Sequence, residues 1–324
     1  MIKQQKFGLA IAIVTILLTL GVASFVGGRQ LGHSEAVSSF MATFPNAVRR
    51  DIQAKLRDFV NAEDFGASQT ANDNTAAINN AVAAVSSNVA GGGCIRFNAG
   101  TYRIAGTIVL PSGFGLCGNL RSKTDNGAID ILLLGTGSSG QILIRIGTGS
   151  DNPNFNYVQD IAIGFARPQS AGASIVTRNG HTISLQRIFI GINSHIGIML
   201  EGGSEQYNYQ LEDIEIGAGW RGVWIGPSVL AKPLLVYNVT MKNVKVARQQ
   251  DACIYLQNVS GFESGVGVEC LESERGLVLQ PGNGEVVKGV ISSGLVLDSN
   301  RRENLLEHRA RNKNREEIPT GLEV

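Results

Sequence analysis

The chain has 324 residues, of which 40 are glycine, and only 6% are aromatic. This length allows one large or two small domains, and glycine at about 12%, against roughly 7% in an average protein, favours many short strands with tight corners over a helical bundle. The net charge is +1, so no global electrostatic attraction predicts a nucleic-acid partner.

An uncharged run of 20 residues lies near the start, from 7 to 26, behind two lysines. That length is enough to span a bilayer, and the positive flank is typical of a signal peptide, with Val22-Ala23-Ser24 before the cleavage site. A buried core helix and a translation start at Met41 are the alternatives. We expect residues 1–40 to be a hydrophobic leader, either signal peptide or membrane anchor, and the chain's only contact with a membrane.

Residues 41–60 are predicted to form a short neck helix. Its apolar side chains at Val48, Ile52, Leu56 and Phe59 share one helical face, and basic residues lie elsewhere. Because a helix this short is marginal alone, the neck needs a surface to pack against.

Residues 58–118 indicate a loop, one amphipathic helix and the first strands of a repetitive fold. Asp73 is a candidate N-cap, and small apolar residues follow it on one helical face: Ala77, Ile78, Ala81, Val82 and Val85. Gly91-Gly92-Gly93 predicts the end of this helix. Short strands are predicted after it, over Cys94–Phe97, Thr101–Ile104 and Thr107–Leu110.

An internal repeat begins at about residue 158, which is the strongest indication of architecture. One aliphatic position recurs at Ile161, Ile188, Ile214 and Val244, with spacings of 27, 26 and 30 residues. Each unit is followed by a second strand, so a coil can turn while its aliphatic side chains stay inside. Leucine-rich repeats are shorter and carry a Leu/Asn frame that is absent here. We predict an all-β parallel β-helix over residues 61–300, with rungs about 4.8 Å apart.

Three motifs resemble the N-terminal part of the pectate-lyase-like superfamily, whose right-handed parallel β-helices include many phage tailspikes. They are Asp64-Phe65-Gly66-Ala67, the run from Asp73-Asn74-Thr75 to Ile78, and Gly100-Thr101-Tyr102. The family's Gly-Asp-Gly turn is replaced by Gln69-Thr70-Ala71, and its usual proline by Asn98. The resemblance implies a right-handed parallel β-helix with an N-terminal capping helix.

The same resemblance implies a phage or prophage tailspike-type protein that binds and depolymerises a bacterial surface polysaccharide, as a glycoside hydrolase or a polysaccharide lyase. It also implies a homotrimer, located in the virion tail or exported to the cell surface. In such a trimer the neck packs against its symmetry mates, whereas in a monomer it folds back on its own β-helix. The alternatives are a non-catalytic structural or adhesin-like surface protein and a secreted pectate-lyase-like enzyme.

The four cysteines show neither a CxxC motif nor histidines at ligand spacing, so we predict no zinc site, no other metal and no cofactor. Cys94 and Cys117 lie 23 residues apart, close to one rung, so that they can pair. We favour two buried free thiols at these positions.

Strand alternation predicts one outward column on the second strands, made of Met199, Trp224, Tyr255 and Val278. Trp224 and Tyr255 would then be exposed on adjacent rungs, where their faces suit stacking against sugar rings. Subunit contact and cover by a loop are the alternatives. Arg221, in the same region, is predicted to hold the carboxylate of a uronate or sialic acid.

Glycan hydrolysis needs two carboxyl groups, about 5–5.5 Å apart for retention or roughly 6.5–9.5 Å for inversion. No strand column places two acids together, so a pair must come from loops, and we predict Glu201, Glu205 and Asp213 as the catalytic acids. A lyase would need a base. His195 and Tyr207 are available, although a turn histidine is the commoner role for the former.

Residues 301–324 abandon the repeat. They hold six Arg or Lys and five Glu with few apolar residues, which indicates a solvated helix or disorder. Because a β-helix end needs a cap and this tail is a poor one, we expect either a truncated chain or a partner at that end.

Overall fold

The computed structural model describes residues 39–40, 50–51, 60–88, 93–118, 130–147, 154–178, 180–191, 193–201, 207–227, 235–281 and 285–301. The apolar run of the predicted leader and the charged tail after Arg301 lie outside this part. In the described residues, no helix is both long enough and apolar enough to cross a membrane.

The chain divides into two units, residues 1–58 and 59–324. In the first unit, β1 (Ser39–Phe40) pairs antiparallel with β2 (Arg50–Asp51). The neck was predicted to be helical over this second strand, but Arg50 and Asp51 are extended there. Their pairing with β1 gives the backbone groups hydrogen-bond partners that a helix would otherwise supply. The rest of the predicted neck helix lies outside the described residues, except for Val60.

The second unit begins with β3 (Val60–Asn61), a 3-10 helix (Ala62–Phe65) and helix α1 (Thr75–Asn88). The strands of its first half are β4 (Gly93–Arg96), β5 (Gly100–Ile104), β6 (Ile108–Leu110), β7 (Phe114–Cys117), β8 (Ile131–Gly135), β9 (Ile142–Ile146), β10 (Asn154–Phe165), β11 (Ala173–Arg178) and β12 (His181–Ile190). Those of its second half are β13 (Ile196–Glu201), β14 (Tyr207–Ile216), β15 (Gly219–Ile225), β16 (Val236–Ala247), β17 (Gln249–Leu256), β18 (Val259–Ser264), β19 (Val268–Leu271), β20 (Arg275–Leu279), β21 (Val287–Ser292) and β22 (Leu295–Asp298).

These strands form two parallel sheets in which sequence neighbours do not pair. The seven-stranded sheet has the order β20-β17-β15-β13-β11-β9-β6. In the thirteen-stranded sheet the long strands bend: β16 pairs with β18 through its first half and with β19 through its second half. Each coil therefore adds one strand to the first sheet and one bent strand to the second. This is the predicted all-β parallel β-helix.

One left-handed residue makes the bend within each long strand. Asp160, Arg187, Asp213 and Asn243 occupy equivalent positions in successive coils and have φ between 49° and 59°. A second column of positive φ lies five residues earlier and contains Phe155, Thr182, Asn208, Asn238, Gly261 and Gly289. A single left-handed residue turns the chain without ending the strand, and Asn, Asp and Gly tolerate this conformation best.

The predicted repeat forms the core. Ile161, Ile188, Ile214 and Val244 are paired in register and are at most 2% exposed. Gly222 shows why glycine begins several of the second strands. A Cβ there would lie 2.2 Å from a Val246 methyl group and 2.7 Å from the Cys253 carbonyl oxygen, so this position packs directly against the opposite wall of the coil.

Helix α1 covers the first strands of the solenoid. The predicted apolar face is confirmed, because Ile78, Ala81, Val82 and Val85 are buried in the main core. The helix ends at Asn88, just before the predicted glycine stop.

The motif Asp73-Asn74-Thr75 fastens this helix to the first coil. The Asp73 carboxylate accepts hydrogen bonds from the backbone N–H groups of Thr75 (2.9 Å) and Ala105 (3.0 Å). Partial burial alone would raise the pKa of Asp73, but these hydrogen bonds hold it below its ordinary value. The buried Asn74 side chain accepts from Ser68 N–H (2.7 Å) and donates to the Arg103 carbonyl (3.2 Å). The motif is therefore explained by the fold alone.

Cys94 and Cys117 form a disulfide with their Cα atoms 5.9 Å apart, so the prediction of free thiols was wrong. In the parallel pairing of β4 and β7, Cys94 lies opposite Gly115, two residues before Cys117. Side chains two residues apart on a strand lie on the same face, and the Cα separation is within the range of a disulfide. Cys253 and Cys270 are buried and free.

Candidate functional site

The predicted outward column on the seven-stranded sheet is confirmed. Met199, Trp224, Tyr255 and Val278 are paired in register on successive strands. Their aliphatic neighbours in the strands face the main core instead, as the alternation predicted.

Around this column lies a group of side chains that we call the aromatic–arginine cluster: His195, Trp220, Arg221, Trp224, Asp251, Tyr255 and Arg275. The Trp220 and Trp224 rings meet edge to face at 5.9 Å, and Trp224 and Tyr255 do the same at 5.9 Å. The His195 ring stacks on Trp220 at 4.8 Å with an interplanar angle of 4°. The rings therefore form one continuous block across three strands and the turn before them.

Arg221 lies at the centre of the cluster and is 8% exposed. Its guanidinium carbon is 3.9 Å from the Trp220 ring centroid, 4.3 Å from that of Trp224 and 3.6 Å from that of Tyr255. Its Nε donates to Asp251 Oδ2 at 2.5 Å, and the same carboxylate also pairs with Arg275. Cation–π contact and an ion pair thus hold one buried cation.

This geometry changes two predictions made from the sequence. Tyr255 is only 6% exposed and stands at 75° to Trp224, so it does not offer a second flat face to solvent. Arg221, predicted to hold a ligand carboxylate, is already paired with Asp251. The half-buried surface of the cluster is that of Trp220, Trp224 and His195.

Polar side chains fix the rim of the cluster. The Tyr255 hydroxyl donates to Gln280 at 2.7 Å, and Trp224 Nε1 donates to Gln257 at 3.1 Å. Gln257 in turn donates to Glu285 at 3.2 Å. The orientation of Trp224 is therefore determined on its edge as well as on its faces.

The titratable rings of the cluster are neutral at physiological pH. Burial lowers the pKa of His195 below its ordinary value, and Arg221 lowers it further. Burial raises the pKa of Tyr255, although the positive charge of Arg221 opposes that shift. The cluster thus presents neutral aromatic surface over a buried, compensated charge.

The predicted catalytic acids are spread over the molecule. Glu201, at the end of β13, is 3% exposed and accepts from Arg178 Nε at 2.6 Å. Asp213 is exposed in the other sheet, at the left-handed corner of β14, where it accepts from Asn243 at 2.6 Å. Six residues of strand, about 20 Å, separate it from the start of β14 at Tyr207. Glu205 lies outside the described residues, and catalytic roles for the three acids stay predictions.

Trp220, Asp251 and Arg275 were missed by reasoning from the sequence. They lie at the beginnings of their strands, ahead of the short Gly-x-x-Leu-type segments by which the repeat was recognised. The column Arg221, Ala252 and Arg275, paired in register, would have indicated two neighbouring cations that need a carboxylate.

Coils of parallel strands around one aliphatic core, with a ligand-sized aromatic surface on the outside, define a β-helix protein of the pectate-lyase type. Residues 59–277 match the model of the family described as rhamnogalacturonase A/epimerase, pectate lyase-like, and the chain belongs to this family. No curated protein matches the chain in sequence.

Solved structures that resemble the chain have low sequence identity to it. The A-module of the mannuronan C-5 epimerase AlgE6 from Azotobacter vinelandii is 13% identical, with 75% of this chain and 77% of that one covered and a TM-score of 0.43. The surface adhesin PfbA of Streptococcus pneumoniae is 12% identical, with 74% and 71% covered and a TM-score of 0.49. A mutant tailspike protein of the E. coli bacteriophage HK620 is 13% identical, with 80% and 60% covered and a TM-score of 0.43.

Proposed function

We propose that this chain is a tailspike-type surface protein that binds a bacterial polysaccharide against its seven-stranded sheet. The observation that supports this most directly is the aromatic–arginine cluster, which holds Trp220 and Trp224 half-buried on the outside of a rigid sheet. The tailspike-like motifs near the N-terminus and the family assignment support a carbohydrate ligand.

The cluster has the properties that sugar binding requires. Sugar rings offer apolar C–H faces, and a tryptophan offers a large apolar face with few rotatable bonds. Trp224 is held by Arg221, Tyr255 and Gln257, so that little side-chain entropy is lost when a ligand orders it. The surface is therefore preorganised for stacking.

The same contacts favour binding without cleavage over depolymerisation. A general acid needs a carboxyl group that can exchange a proton at the operating pH. Glu201 is paired with Arg178, and Asp251 is paired with two arginines, which stabilises the charged form of both carboxylates. Depolymerisation through Glu201, Glu205 and Asp213 is the alternative function.

We extend the proposal to location and assembly. A homotrimer and a place on the virion tail or the cell surface follow from the tailspike-like motifs. The Cys94–Cys117 disulfide favours an exported protein, because disulfides form and persist in oxidising compartments and are rare in the cytosol.

Intrinsic fluorescence tests binding with unusual selectivity. The chain has two tryptophans, and both belong to the cluster. Titration with a panel of capsular and O-antigen polysaccharides is expected to change the emission for at least one polymer. Trp224→Ala is expected to weaken that polymer's binding by calorimetry about tenfold, equivalent to about 1.4 kcal/mol.

The matched control is Phe155→Ala, which removes another aromatic side chain, 70% exposed, from the other sheet. It should leave the affinity unchanged. A reducing-end assay on the same samples separates the two functions. Released sugar ends, lost in Glu201→Gln, would establish the depolymerase, and equal affinities of Trp224→Ala and the original chain would refute the proposed site.

A further inference from the structure

A second site lies on the same sheet, several coils before the aromatic–arginine cluster. It is a cavity of about 390 Å³ lined by residues 105–107, residues 138–142 and Arg145. The lining includes the side chains of Thr107, Ser138 and Ser139. Gly140 leaves one side open, since a Cβ there would meet nothing within 4 Å.

The walls of this cavity are held in place by hydrogen bonds. The Gln141 amide group donates to the carbonyls of Ile104 (2.9 Å) and Gly106 (3.1 Å) and accepts from Gly137 N–H (3.2 Å). The Thr107 hydroxyl donates to the Ile142 carbonyl at 2.7 Å. The cavity is thus part of the folded turn and exists before any ligand binds.

Arg145 differs from the other arginines of the seven-stranded sheet. Arg178 pairs with Glu201, and both Arg221 and Arg275 pair with Asp251. Arg145 is half-buried, and in the described part of the chain no carboxylate forms an ion pair with it. A partly desolvated guanidinium without a counter-ion favours an anion, and a carboxylate matches its two parallel N–H groups.

The cavity and the cluster belong to one surface. Arg145, Val176, Met199 and Trp224 are paired in register on β9, β11, β13 and β15, so Arg145 and Trp224 lie three rungs, roughly 14 Å, apart. An outer apolar group connects them: Ile142, Ala173, Val176, Ile196, Met199, Trp220 and Trp224. Ile142 also lines the cavity.

We infer that Arg145 and its cavity form a separate subsite for the carboxylate substituent of an acidic polysaccharide that lies along the solenoid axis. This inference rests on the proposed function and specifies the class of polysaccharide. The aromatic–arginine cluster contacts a sugar ring of the chain, and Arg145 selects an acidic sugar three rungs away. The role that the sequence assigned to Arg221 thereby passes to Arg145.

Calorimetry with matched polymers tests this inference. The probes are capsular and O-antigen polysaccharides with and without uronic or sialic acids, and each acidic polymer is also used after reduction of its carboxyl groups to alcohols. Acidic polymers are expected to bind more tightly than their carboxyl-reduced forms. Arg145→Gln should weaken binding of the acidic polymer about tenfold and leave binding of the reduced polymer unchanged, whereas Arg145→Lys should recover part of the loss.

Arg103→Gln is the control for loss of one positive charge, because Arg103 is an exposed arginine on β5 in the other sheet. It should bind like the original chain. Equal affinity for native and reduced polymers, or equal effects of the substitutions at 145 and 103, would overturn the subsite. If Trp224→Ala still weakened binding in that case, the proposed function would stand without it. No binding of any polymer would overturn both.

Discussion

Asp251→Asn should destabilise the protein strongly, because one carboxylate compensates two buried cations. Asp251 pairs with Arg221 and Arg275, whose side chains are 9% and 13% exposed, and its own side chain is 14% exposed. Loss of one partner from a buried ion pair costs about 3–5 kcal/mol, since an uncompensated charge remains. We expect the free energy of unfolding to fall by that amount.

Arg221→Gln should cost less, about 2 kcal/mol. It removes cation–π contacts, worth about 0.5–1 kcal/mol or more each, yet Asp251 keeps Arg275 as its partner. The matched control is Asp160→Asn, which breaks the ion pair with Arg187. Because Arg187 is 42% exposed, that loss should be at most about 1 kcal/mol.

Urea unfolding followed by both circular dichroism and tryptophan fluorescence measures these changes. The order of destabilisation should be Asp251→Asn first, Arg221→Gln second and Asp160→Asn last. An Asp251→Asn variant within about 1 kcal/mol of the original chain, or less affected than Arg221→Gln, would refute the shared-carboxylate explanation.

Three further changes have defined outcomes. Thr182→Asn should raise the free energy of unfolding by about 1 kcal/mol in urea, because a β-branched residue at φ 54° is strained where asparagine is not. Reduction of the Cys94–Cys117 disulfide should lower it by about 3 kcal/mol, from the loop that the bond closes. Below pH 6.5, tryptophan emission should change as His195 takes up a proton, with a midpoint below 6.5 because burial lowers its pKa.

The sign of this pH effect follows from proton linkage. The unfolded chain binds a proton at His195 more readily than the folded chain, so stability contributed by the neutral ring is lost as pH falls through 6.5. His195→Gln should abolish the emission change, and His181→Gln should keep it. For the other two changes, Asn238→Thr should destabilise the protein, and reductant should have no effect on a chain with serine at 94 and 117. Opposite results would contradict the respective explanations.

The fold was largely predictable because its information is local and periodic. The 26- to 30-residue spacing from Ile161 to Val244 and strand alternation each report which side chains are inside. The N-terminal motif is also local, since Asp73 and Asn74 bond to loops and strands within about 30 residues of themselves.

The site was less predictable because its contacts are made between coils. The partner of Arg221 is Asp251, 30 residues later, and neither lies in the recognised repeat segment. The Cys94–Cys117 bond depends on a two-residue offset between paired strands. Phe155 and Thr182 occupy left-handed corners that local preference assigns to asparagine or glycine, so these corners were recognisable only from the register of their neighbours.

Polysaccharide titration of the two tryptophans, with reducing ends assayed on the same samples, tests the central proposal most directly. We expect at least one surface polysaccharide to change the emission of Trp220 and Trp224, and expect its affinity to fall about tenfold in Trp224→Ala but not in Phe155→Ala. A folded protein whose emission no polysaccharide changes, or whose affinity survives Trp224→Ala, would contradict a glycan site at the aromatic–arginine cluster.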